Sequence, residues 1–465
     1  MNKRLEEYKQ YIKNKKVAVL GMGISNKPLI KYLAELGVDL TAFDMADEAE
    51  LASTLRDLNQ YPIKYHLGPN YLQGLKGFDI IFKTPKVRFD VKELVEEQQR
   101  GALITSEMEV FVDLCPADIF AVTGSDGKTT TTTLIHKILV EAGYKCWLGG
   151  NIGMPLLSRI DEIRPTDKVV LELSSFQLHT MRNKIKVAVV TNLAPNHLDV
   201  HTDMDEYVDA KKNIFRYQDD SCKLVLNYDN DITRGFAGEA KGECVFFSRV
   251  NPLAQGAYIE NDTLVYKDSK RFFNVMKTED ILLIGDHNVE NYLAATAAVI
   301  DYADVSHIHA VATTFTGVEH RMEPVRKLNG ITFYNDSMAS SPSRTTAGLK
   351  AFKKKVILIA GGYDKHIPYD EMGEVLAEKV KVLVLIGQTA PKIEEALKNY
   401  SQATGLGRDI TIIKCNTLEA AVEACYSHAK EEDAVVLSPA SASFDMFKNF
   451  EVRGNLFREI VNKLK

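Results

Sequence analysis

The sequence has little of what marks membrane, secreted or nucleic-acid-binding chains. None of its apolar runs approaches the ~20 residues that a membrane helix needs, and the charged N-terminal segment MNKRLEEYKQYIKNKK lacks the apolar core of a signal peptide. Its six cysteines include no C-x-x-C pair, which favours reduced thiols over a zinc site or a disulfide framework. Lysine and arginine number 57 against 63 aspartates and glutamates, a net charge of −6, so there is no global basic field for a nucleic acid. We therefore predict a cytoplasmic protein that binds any anionic ligand locally.

The chain is long enough for several hydrophobic cores, since its 465 residues are about three times a typical domain of ~150. Short β-branched runs recur, each followed by a turn signal and then by residues at helical spacing, which predicts parallel sheets covered by helices. The predicted strands are residues 17–20, 39–43, 79–82, 119–122, 169–173, 187–191, 223–227, 331–334, 356–360, 382–386 and 434–437. Residues 235–285 show no clear period. We predict an α/β fold in three domains, with boundaries near residues 105 and 316.

The strongest local signal is the loop TGSDGKTT at residues 123–130, between a predicted strand and a predicted helix. Glycines let the backbone wrap closely around a phosphate, and the N–H groups of the following helix supply positive potential. Lys128 would reach terminal phosphates, and Thr129 would hold a magnesium ion. A standard Walker A loop has glycine where Val122 stands, so the sequence indicates a G-x-x-G-K-T variant of a phosphate-binding loop.

A second glycine turn, Gly21-Met-Gly23, follows the first predicted strand. It resembles the start of a dinucleotide fingerprint, but Asn26 stands at the third glycine position. Asp44, at the end of the next strand, is placed where a ribose-binding carboxylate would lie. The pattern allows a tight structural turn or a nucleotide site, and the nucleotide need not be NAD.

Three further polar residues stand out, and the residues alone indicate a metal role for only the first of them. Glu172 ends an apolar strand, where a carboxylate is costly unless it meets a cation; the alternative is an edge-strand glutamate in solvent. His197 follows another strand end. Lys211 lies on a predicted helix among polar residues, where the residues alone favour a solvated lysine.

Ten motifs occur in an order that resembles one family along the whole chain. They are TSEMEVF at 105–111, TGSDGKTT at 123–130, GGNIG at 149–153, LELSSFQL at 171–178, TNLAPNHLD at 191–199, YVDAKKNI at 207–214, HNVEN at 287–291, GVEHRME at 317–323, GGYDK at 361–365 and LSPASASFDMFKNFEVRG at 437–454. The family is that of the Mur ligases, ATP-dependent enzymes that build the peptide of peptidoglycan. The last motif most resembles the member that adds D-glutamate.

The resemblance implies a role for each matching residue. ATP contacts are implied at Gly124, Ser125, Asp126, Gly127, Lys128, Thr129, Thr130, Asn288, Asn291, Arg321 and Asp336. Catalytic residues are implied at Lys128, Glu172, His197 and Lys211, and magnesium ligands at Thr129, Glu172, His197 and a carbamylated Lys211. Contacts to a UDP-linked muramoyl substrate are implied at Ser25, Asp44, Asn151, Ser174 and Gln177. A D-glutamate pocket is implied at Lys365, Ser443, Phe444 and Phe450.

The resemblance also implies an architecture and a reaction. Residues 1–105 would form a Rossmann-like domain for UDP, 106–316 a P-loop ATPase domain, and 317–465 a Rossmann-like domain for the amino acid. With ATP and Mg²⁺, the enzyme would join D-glutamate to UDP-N-acetylmuramoyl-L-alanine through an acyl-phosphate, in the cytoplasm, for cell-wall synthesis. The expected partners are these small molecules, with no nucleic acid or membrane, and the chain is expected to be a monomer.

Three alternatives remain open at this point. Another Mur ligase shares the core but is expected to carry a different motif around Asp336. A folylpolyglutamate synthetase shares the phosphate loop, but near its N-terminus. A nicotinamide-dependent dehydrogenase would use Gly21 and Gly23, and the second phosphate loop argues against it.

The chain departs from the family pattern at three sites. The D-S-K-[AS]-T-N segment has Met338 in place of lysine, the S-P-G segment ends in Lys86, and the phosphate loop has Asp126 in place of asparagine. These changes concern individual contacts to the nucleotide and to D-glutamate, and they leave the reaction class unchanged.

Overall fold

The computed structural model of the chain describes residues 2–23, 25–195 and 201–465, whose strands form three sheets. The α/β class predicted from the strand–turn–helix alternation is confirmed. Several predicted strands match the observed ones at both ends, among them Lys223–Asn227, Val356–Ala360 and Ala434–Leu437.

The first sheet has five parallel strands in the order β3-β2-β1-β4-β5. This is the strand order of a Rossmann fold without its sixth strand. Its strands are β1 Lys16–Leu20, β2 Asp39–Asp44, β3 Lys64–Leu67, β4 Ile80–Phe82 and β5 Leu103–Thr105, and its helices are α1 Lys3–Lys13, α2 Asn26–Glu35, α3 Ala52–Leu58 and α4 Lys92–Gln99, with a 3₁₀ turn at Tyr71–Gly74. Alternate residues of β1 enter cores on opposite faces, Val17 with Leu29 and Ala18 with Leu94. Helices therefore cover both faces, as predicted.

The central sheet has nine strands in the order β14-β13-β12-β11-β10-β9-β6-β8-β7. Its strands are β6 Asp118–Thr123, β7 Cys146–Gly150, β8 Lys168–Glu172, β9 Val187–Val190, β10 Lys223–Asn227, β11 Glu243–Ser248, β12 Gly256–Glu260, β13 Thr263–Lys267 and β14 Phe272–Lys277. The helices of this part of the chain are α5 Glu107–Leu114, α6 Lys128–Glu141, α7 Ser175–Leu178, α8 Met204–Arg216, α9 Asp231–Gly235, α10 Asp286–Val299 and α11 Val305–Ala312, with 3₁₀ turns at Leu157–Glu162, Phe236–Glu239 and Thr278–Asp280.

Residues 235–285, for which the sequence shows no clear period, extend the central sheet. Strands β12, β13 and β14 pair antiparallel, and β12 continues the parallel part through β11. The prediction of parallel sheets is therefore wrong for this edge. Each of these strands has at most three consecutive buried residues, which is shorter than the continuous apolar run of a strand buried on both faces.

The third sheet has six strands in the order β15-β16-β20-β17-β18-β19, parallel except for β15. Its strands are β15 Glu323–Leu328, β16 Ile331–Asn335, β17 Val356–Ala360, β18 Val380–Leu385, β19 Thr411–Lys414 and β20 Ala434–Leu437, and its helices are α12 Pro342–Lys350, α13 Met372–Lys379, α14 Ala390–Thr404, α15 Leu418–His428 and α16 Phe450–Lys463. Leu358 packs into one core with Ile393, and Ile357 into another with Phe457. Helices again lie on both faces.

The fold divides into two compact units. The larger unit runs from the N-terminal residues to Asp280 and takes in Val289–Val311, and the smaller unit comprises Ile281–Asn288 and Ala312–Lys465. The boundaries near residues 105 and 316 stay predictions. No helix in the described part of the chain combines the length and the apolarity needed to span a bilayer.

Candidate functional site

Candidate residues of the larger unit lie at one edge of the central sheet. Strands β9, β6, β8 and β7 are neighbours and parallel, so their carboxyl ends share that edge. The phosphate loop follows β6, Asn151 follows β7, and Glu172 ends β8. Ligands of open α/β sheets bind at this edge, because the loops and helix N-termini converge there.

The phosphate loop turns through two glycines with positive φ, 149° at Gly124 and 77° at Gly127. A Cβ on Gly124 would overlap the hydroxyl of Thr191, and one on Gly127 would overlap the side-chain oxygen of Asn291. Gly127 also precedes α6, whose first N–H groups lack partners within the helix. The backbone therefore forms the close, electropositive turn that phosphate requires.

Hydrogen bonds fix the shape of this loop. The Ser125 hydroxyl donates to Ala194 O at 2.9 Å and lies 2.9 Å from the Tyr207 hydroxyl. The Asp126 N–H donates to Asn192 Oδ1 at 2.9 Å. Lys128 Nζ donates to Ser125 O at 2.8 Å, which keeps its ammonium over the turn. Ser125 thus supports the loop, and Thr191 and Asn192 are supporting residues that the sequence analysis did not single out individually.

Glu172 is buried, with 1% of its surface exposed, on a strand flanked by β6 and β7. The alternative of an edge-strand glutamate in solvent is therefore wrong. Its Oε1 accepts a hydrogen bond from Asn151 Nδ2 at 2.8 Å, while its Oε2 has no hydrogen-bond partner among the described residues. A buried carboxylate oxygen without a partner is costly, so the site suits a cation.

Lys211 is also buried, with 2% of its surface exposed, whereas the residues alone favoured a solvated side chain. Its Nζ donates to Thr123 Oγ1 at 3.0 Å and to Gly124 O at 2.9 Å. Burial, and then the charge of Lys128, lower the pKa of Lys211 well below its ordinary value, and Glu172 only partly opposes them. The amine is therefore driven towards its neutral form beside the phosphate loop. His197, the remaining predicted metal ligand, lies outside the described residues.

A cleft of about 230 Å³ in the larger unit contains three of the predicted contacts to the UDP-linked substrate. Ser25, Asn151 and Gln177 all line it. Glu107 lines it as well, and its Oε1 accepts the Leu157 N–H at 2.8 Å. Burial raises the pKa of Glu107 to about 7.

The other two predicted contacts, Asp44 and Ser174, are occupied by neighbouring protein groups. Asp44 accepts the N–H of Met22 at 2.7 Å and that of Ala46 at 2.9 Å, which ties the glycine turn to the end of β2. Ser174 caps α7 in a reciprocal capping box with Gln177. The S-x-x-Q spacing is the sequence signal of that box. Ser174 thereby holds Gln177, which lines the cleft.

The predicted nucleotide residues are divided between the two units. In the larger unit, Asn291 Oδ1 accepts the Thr131 hydroxyl at 3.1 Å. In the smaller unit, Asp336 follows β16 and accepts the Ser438 hydroxyl at 2.7 Å. Burial raises the pKa of Asp336 to about 7. The hydrogen bond from Ser438 and the positive charge of Arg321 oppose this rise only in part. Asn288 belongs to the smaller unit, where its Nδ2 donates to Ile284 O at 2.8 Å.

The predicted D-glutamate residues gather at the carboxyl ends of β17 and β20. Lys365 is exposed on the loop after β17, and Ser443 is buried on the loop after β20. A bridge between Tyr363 and Ala442 joins these two loops, and the rings of Tyr363 and Phe444 lie 5.9 Å apart. Phe450 begins α16, where its carbonyl accepts the Ser337 hydroxyl.

Arg453 joins the loop after β16 to the loop after β20. It is 1% exposed, and its guanidinium donates to Ser337 O at 2.8 Å and to the carbonyls of Ser441 and Ala442, each at 3.2 Å. Burial lowers the pKa of Arg453 to about 10. Arg453 lies in the last of the ten motifs, but the sequence analysis assigned it no role, because an arginine on a terminal helix carries no local signal of burial.

A second group of potential metal ligands, His179, His201 and Glu206, has its ligand atoms within 4.8 Å of one another. The Glu206 carboxylate, however, already accepts hydrogen bonds from Arg88 at 3.1 Å and from the Thr202 hydroxyl at 2.9 Å. Burial alone would raise the pKa of Glu206, but hydrogen bonds from the Thr202 N–H, the Thr202 hydroxyl and Arg88 lower it to about 2. We therefore interpret Glu206 as the ion-pair partner of Arg88 and not as a metal ligand.

Comparisons with known proteins match the whole chain. The family described as Mur ligase middle domain matches residues 122–299, and the one described as Mur ligase, glutamate ligase domain matches residues 320–441. The protein named UDP-N-acetylmuramoylalanine--D-glutamate ligase of Acetivibrio thermocellus is 64% identical over 465 residues, all of both chains. Proteins of the same name from Ruminiclostridium cellulolyticum and Clostridium novyi are 58% and 54% identical, again over the full length of both chains.

Solved structures agree on the fold. The crystal structure of UDP-N-acetylmuramate-alanine ligase from Thermotoga maritima superposes with a TM-score of 0.61 at 19% identity, over 97% of this chain and 100% of that one. A pseudomurein peptide ligase type C from Methanothermus fervidus gives a TM-score of 0.53 at 21% identity, with the same coverage. At these identities the likeness concerns the fold alone.

Proposed function

This chain belongs to the Mur ligase family, and on that premise we propose that it joins D-glutamate to UDP-N-acetylmuramoyl-L-alanine at the expense of ATP. The observation that carries the proposal is the full-length identity of 64% to a relative with that name. The phosphate loop, Glu172 and Lys211 support it, because they bring a phosphate cradle and a cation site to one sheet edge. We propose that residues 1–105 serve the UDP moiety, 106–316 ATP, and 317–465 the amino acid.

The chemistry requires that a carboxylate be made into an acyl donor. In the proposed reaction, the alanine carboxylate attacks the terminal phosphate of ATP, forming an acyl-phosphate and ADP. The D-glutamate amine then attacks the acyl carbon, and phosphate leaves. The main contribution of the protein would be electrostatic: Lys128 and the N–H groups at the start of α6 offset charge on the phosphoryl group in transfer.

A magnesium ion fits the donor set of the larger unit. Glu172 Oε2, which has no hydrogen-bond partner in the described part of the chain, is a hard oxygen ligand in a buried position. Thr129 and a carbamylated Lys211 would complete the set with His197, which lies outside the described residues. When bound, the ion would neutralise phosphate charge. The residues present thus support the family's use of ATP with Mg²⁺.

The nature of the two substrates bears on the binding partners and on the cellular location that we propose. Both are small anionic molecules, and neither requires a nucleic acid or a membrane surface. Because the reaction consumes ATP, we place it in the cytoplasm, as a step of peptidoglycan precursor synthesis. The monomeric state stays a prediction.

The test is ADP release by the purified chain with ATP, Mg²⁺ and UDP-N-acetylmuramoyl-L-alanine, with one amino acid at a time. We expect release with D-glutamate and only background release with L-glutamate, L-alanine, L-lysine or diaminopimelate. Preference for L-alanine with UDP-N-acetylmuramate would indicate another member of the family. Activity with a reduced folate and L-glutamate would indicate the folylpolyglutamate synthetase alternative.

Lys365→Ala is expected to raise the KM for D-glutamate by about 10- to 100-fold and to leave the KM for ATP within about 2-fold. A charge-assisted hydrogen bond from an ammonium to a carboxylate is worth ~1.5–3 kcal/mol, which sets that range. Steady-state kinetics with each substrate varied in turn would measure it. Lys354→Ala is the matched control, since Lys354 precedes β17 and pairs with Glu432 at the surface. An equal effect on both KM values would contradict the assignment.

A further inference from the structure

A buried lysine lines the cleft of the larger unit. Lys83 is 4% exposed and borders the cleft together with Ser25 and Asn151. Among the described residues, its ammonium has one hydrogen bond, a long one to Val87 O at 3.4 Å. An ammonium has three donors, so most of its capacity is unused. Burial lowers the pKa of Lys83, and the charge of Glu109 opposes that effect.

Lys83 stands beside the first glycine turn. It directly follows β4, which pairs in parallel with β1, and the Gly21–Gly23 turn directly follows β1. The next residue, Thr84, packs on that turn, since a Cβ on Gly21 would lie 3.1 Å from its methyl group. The turn leads into α2, whose first N–H groups carry partial positive charge. A buried cation and a helix N-terminus therefore border the same end of the cleft.

We propose that Lys83 binds the diphosphate of the UDP-linked substrate. This inference rests on the proposed function and adds a binding residue to it. Lys83 is the one cation among the described residues that line the cleft, and Glu107, the acid among them, is engaged by the Leu157 N–H. The substrate carries anions at its diphosphate and at its alanine carboxylate. Proximity to the glycine turn favours the diphosphate, because close backbone approach at glycine suits phosphate oxygens.

The experiment measures the dissociation constants of uridine, UDP and UDP-N-acetylmuramoyl-L-alanine by calorimetry. Lys83→Met keeps an unbranched side chain, one atom shorter, and removes the charge. We expect about 10- to 100-fold weaker binding of both diphosphate ligands, the range of one charged hydrogen bond, and less than about 2-fold change for uridine. Lys83→Arg should recover part of the loss. Lys92→Met, which removes an exposed cation on α4, is the control and should change none of the three.

Three outcomes would overturn the inference. Equal loss for uridine and UDP would assign Lys83 a structural role. Loss confined to the muramoyl ligand would assign it to the alanine carboxylate or the sugar, and unchanged binding would remove it from the site. Thermal unfolding and ATP binding of the variants report on folding, and Lys83→Gln provides a second uncharged side chain. A wild-type chain that binds UDP but not UDP-N-acetylmuramoyl-L-alanine would instead contradict the proposed function.

Discussion

The Lys128→Ala variant is expected to lose about 10²- to 10³-fold in kcat, the usual cost of removing one preorganised group that stabilises transition-state charge. Its ammonium lies over the phosphate turn, held by Ser125 O. The cleft that contains Ser25 and Asn151 does not include Lys128 among its lining residues. Affinity for the UDP-linked substrate should therefore stay within about 2-fold. Single-turnover kinetics and calorimetry would measure the two quantities separately.

The control for this variant is Lys137→Ala. Lys137 is an exposed residue of the same helix, α6, nine residues further on and so about 13 Å along the axis. The Lys137→Ala variant removes the same kind of charged side chain at a position away from the loop, so near-normal turnover is expected. Near-normal turnover in Lys128→Ala as well would refute the assignment of the phosphate loop.

Lys211→Ala is expected to lose activity by about 10²-fold or more, because we predict that Lys211 is a carbamate in the active enzyme. The neutral amine adds to CO₂, forming a C–N bond and releasing a proton, so a cation becomes an anion. The burial and the nearby Lys128 charge that lower the pKa of Lys211 favour the reactive neutral amine. The carbamate nitrogen keeps one N–H for Gly124 O. Its two oxygens would then be available to a hard cation beside Glu172.

Two measurements separate this prediction from a structural role for the lysine. Carbon-13 NMR of the enzyme in labelled bicarbonate should show a carbamate signal that Lys211→Ala lacks, and a substrate-bound crystal should show a carboxylated side chain. Lys212→Ala is the matched control, since Lys212 pairs with Glu239 at the surface, and it should keep most of the activity. An unmodified Lys211 in the substrate-bound crystal would contradict the prediction.

Local sequence determined the parts of this protein whose signals are short-range. Strands such as Val356–Ala360 are continuous β-branched and aliphatic runs, and their burial in a parallel sheet follows from that composition. The phosphate loop could be read because the positive φ angles of its backbone, 149° at Gly124 and 77° at Gly127, favour glycine locally. The segment 235–285 could not be read, because its strands mix buried and exposed residues without a regular period and owe their order to pairing with one another.

Tertiary packing alone decided the environment of the charged residues. Lys211, Lys83 and Arg453 have polar or unremarkable sequence neighbours, yet each is at most 4% exposed. Side-chain burial depends on which distant elements pack around a position, and spacing along the chain does not contain that information. The pKa of a lysine depends on burial, and so does the cost of leaving a carboxylate oxygen without a hydrogen-bond partner. These properties therefore also appear only in the fold.

Sequence by itself thus determined the α/β class, the phosphate loop and, through the order of ten motifs, the family. The tertiary structure decided that Glu172 lies on a central strand with one oxygen unpartnered among the described residues, that Lys211 is driven towards its neutral form, and that Lys83 borders the cleft. The physical reason is the range of the interactions. Glycine sterics and strand propensity act between neighbours in the chain, whereas desolvation and charge act between residues that only folding brings together.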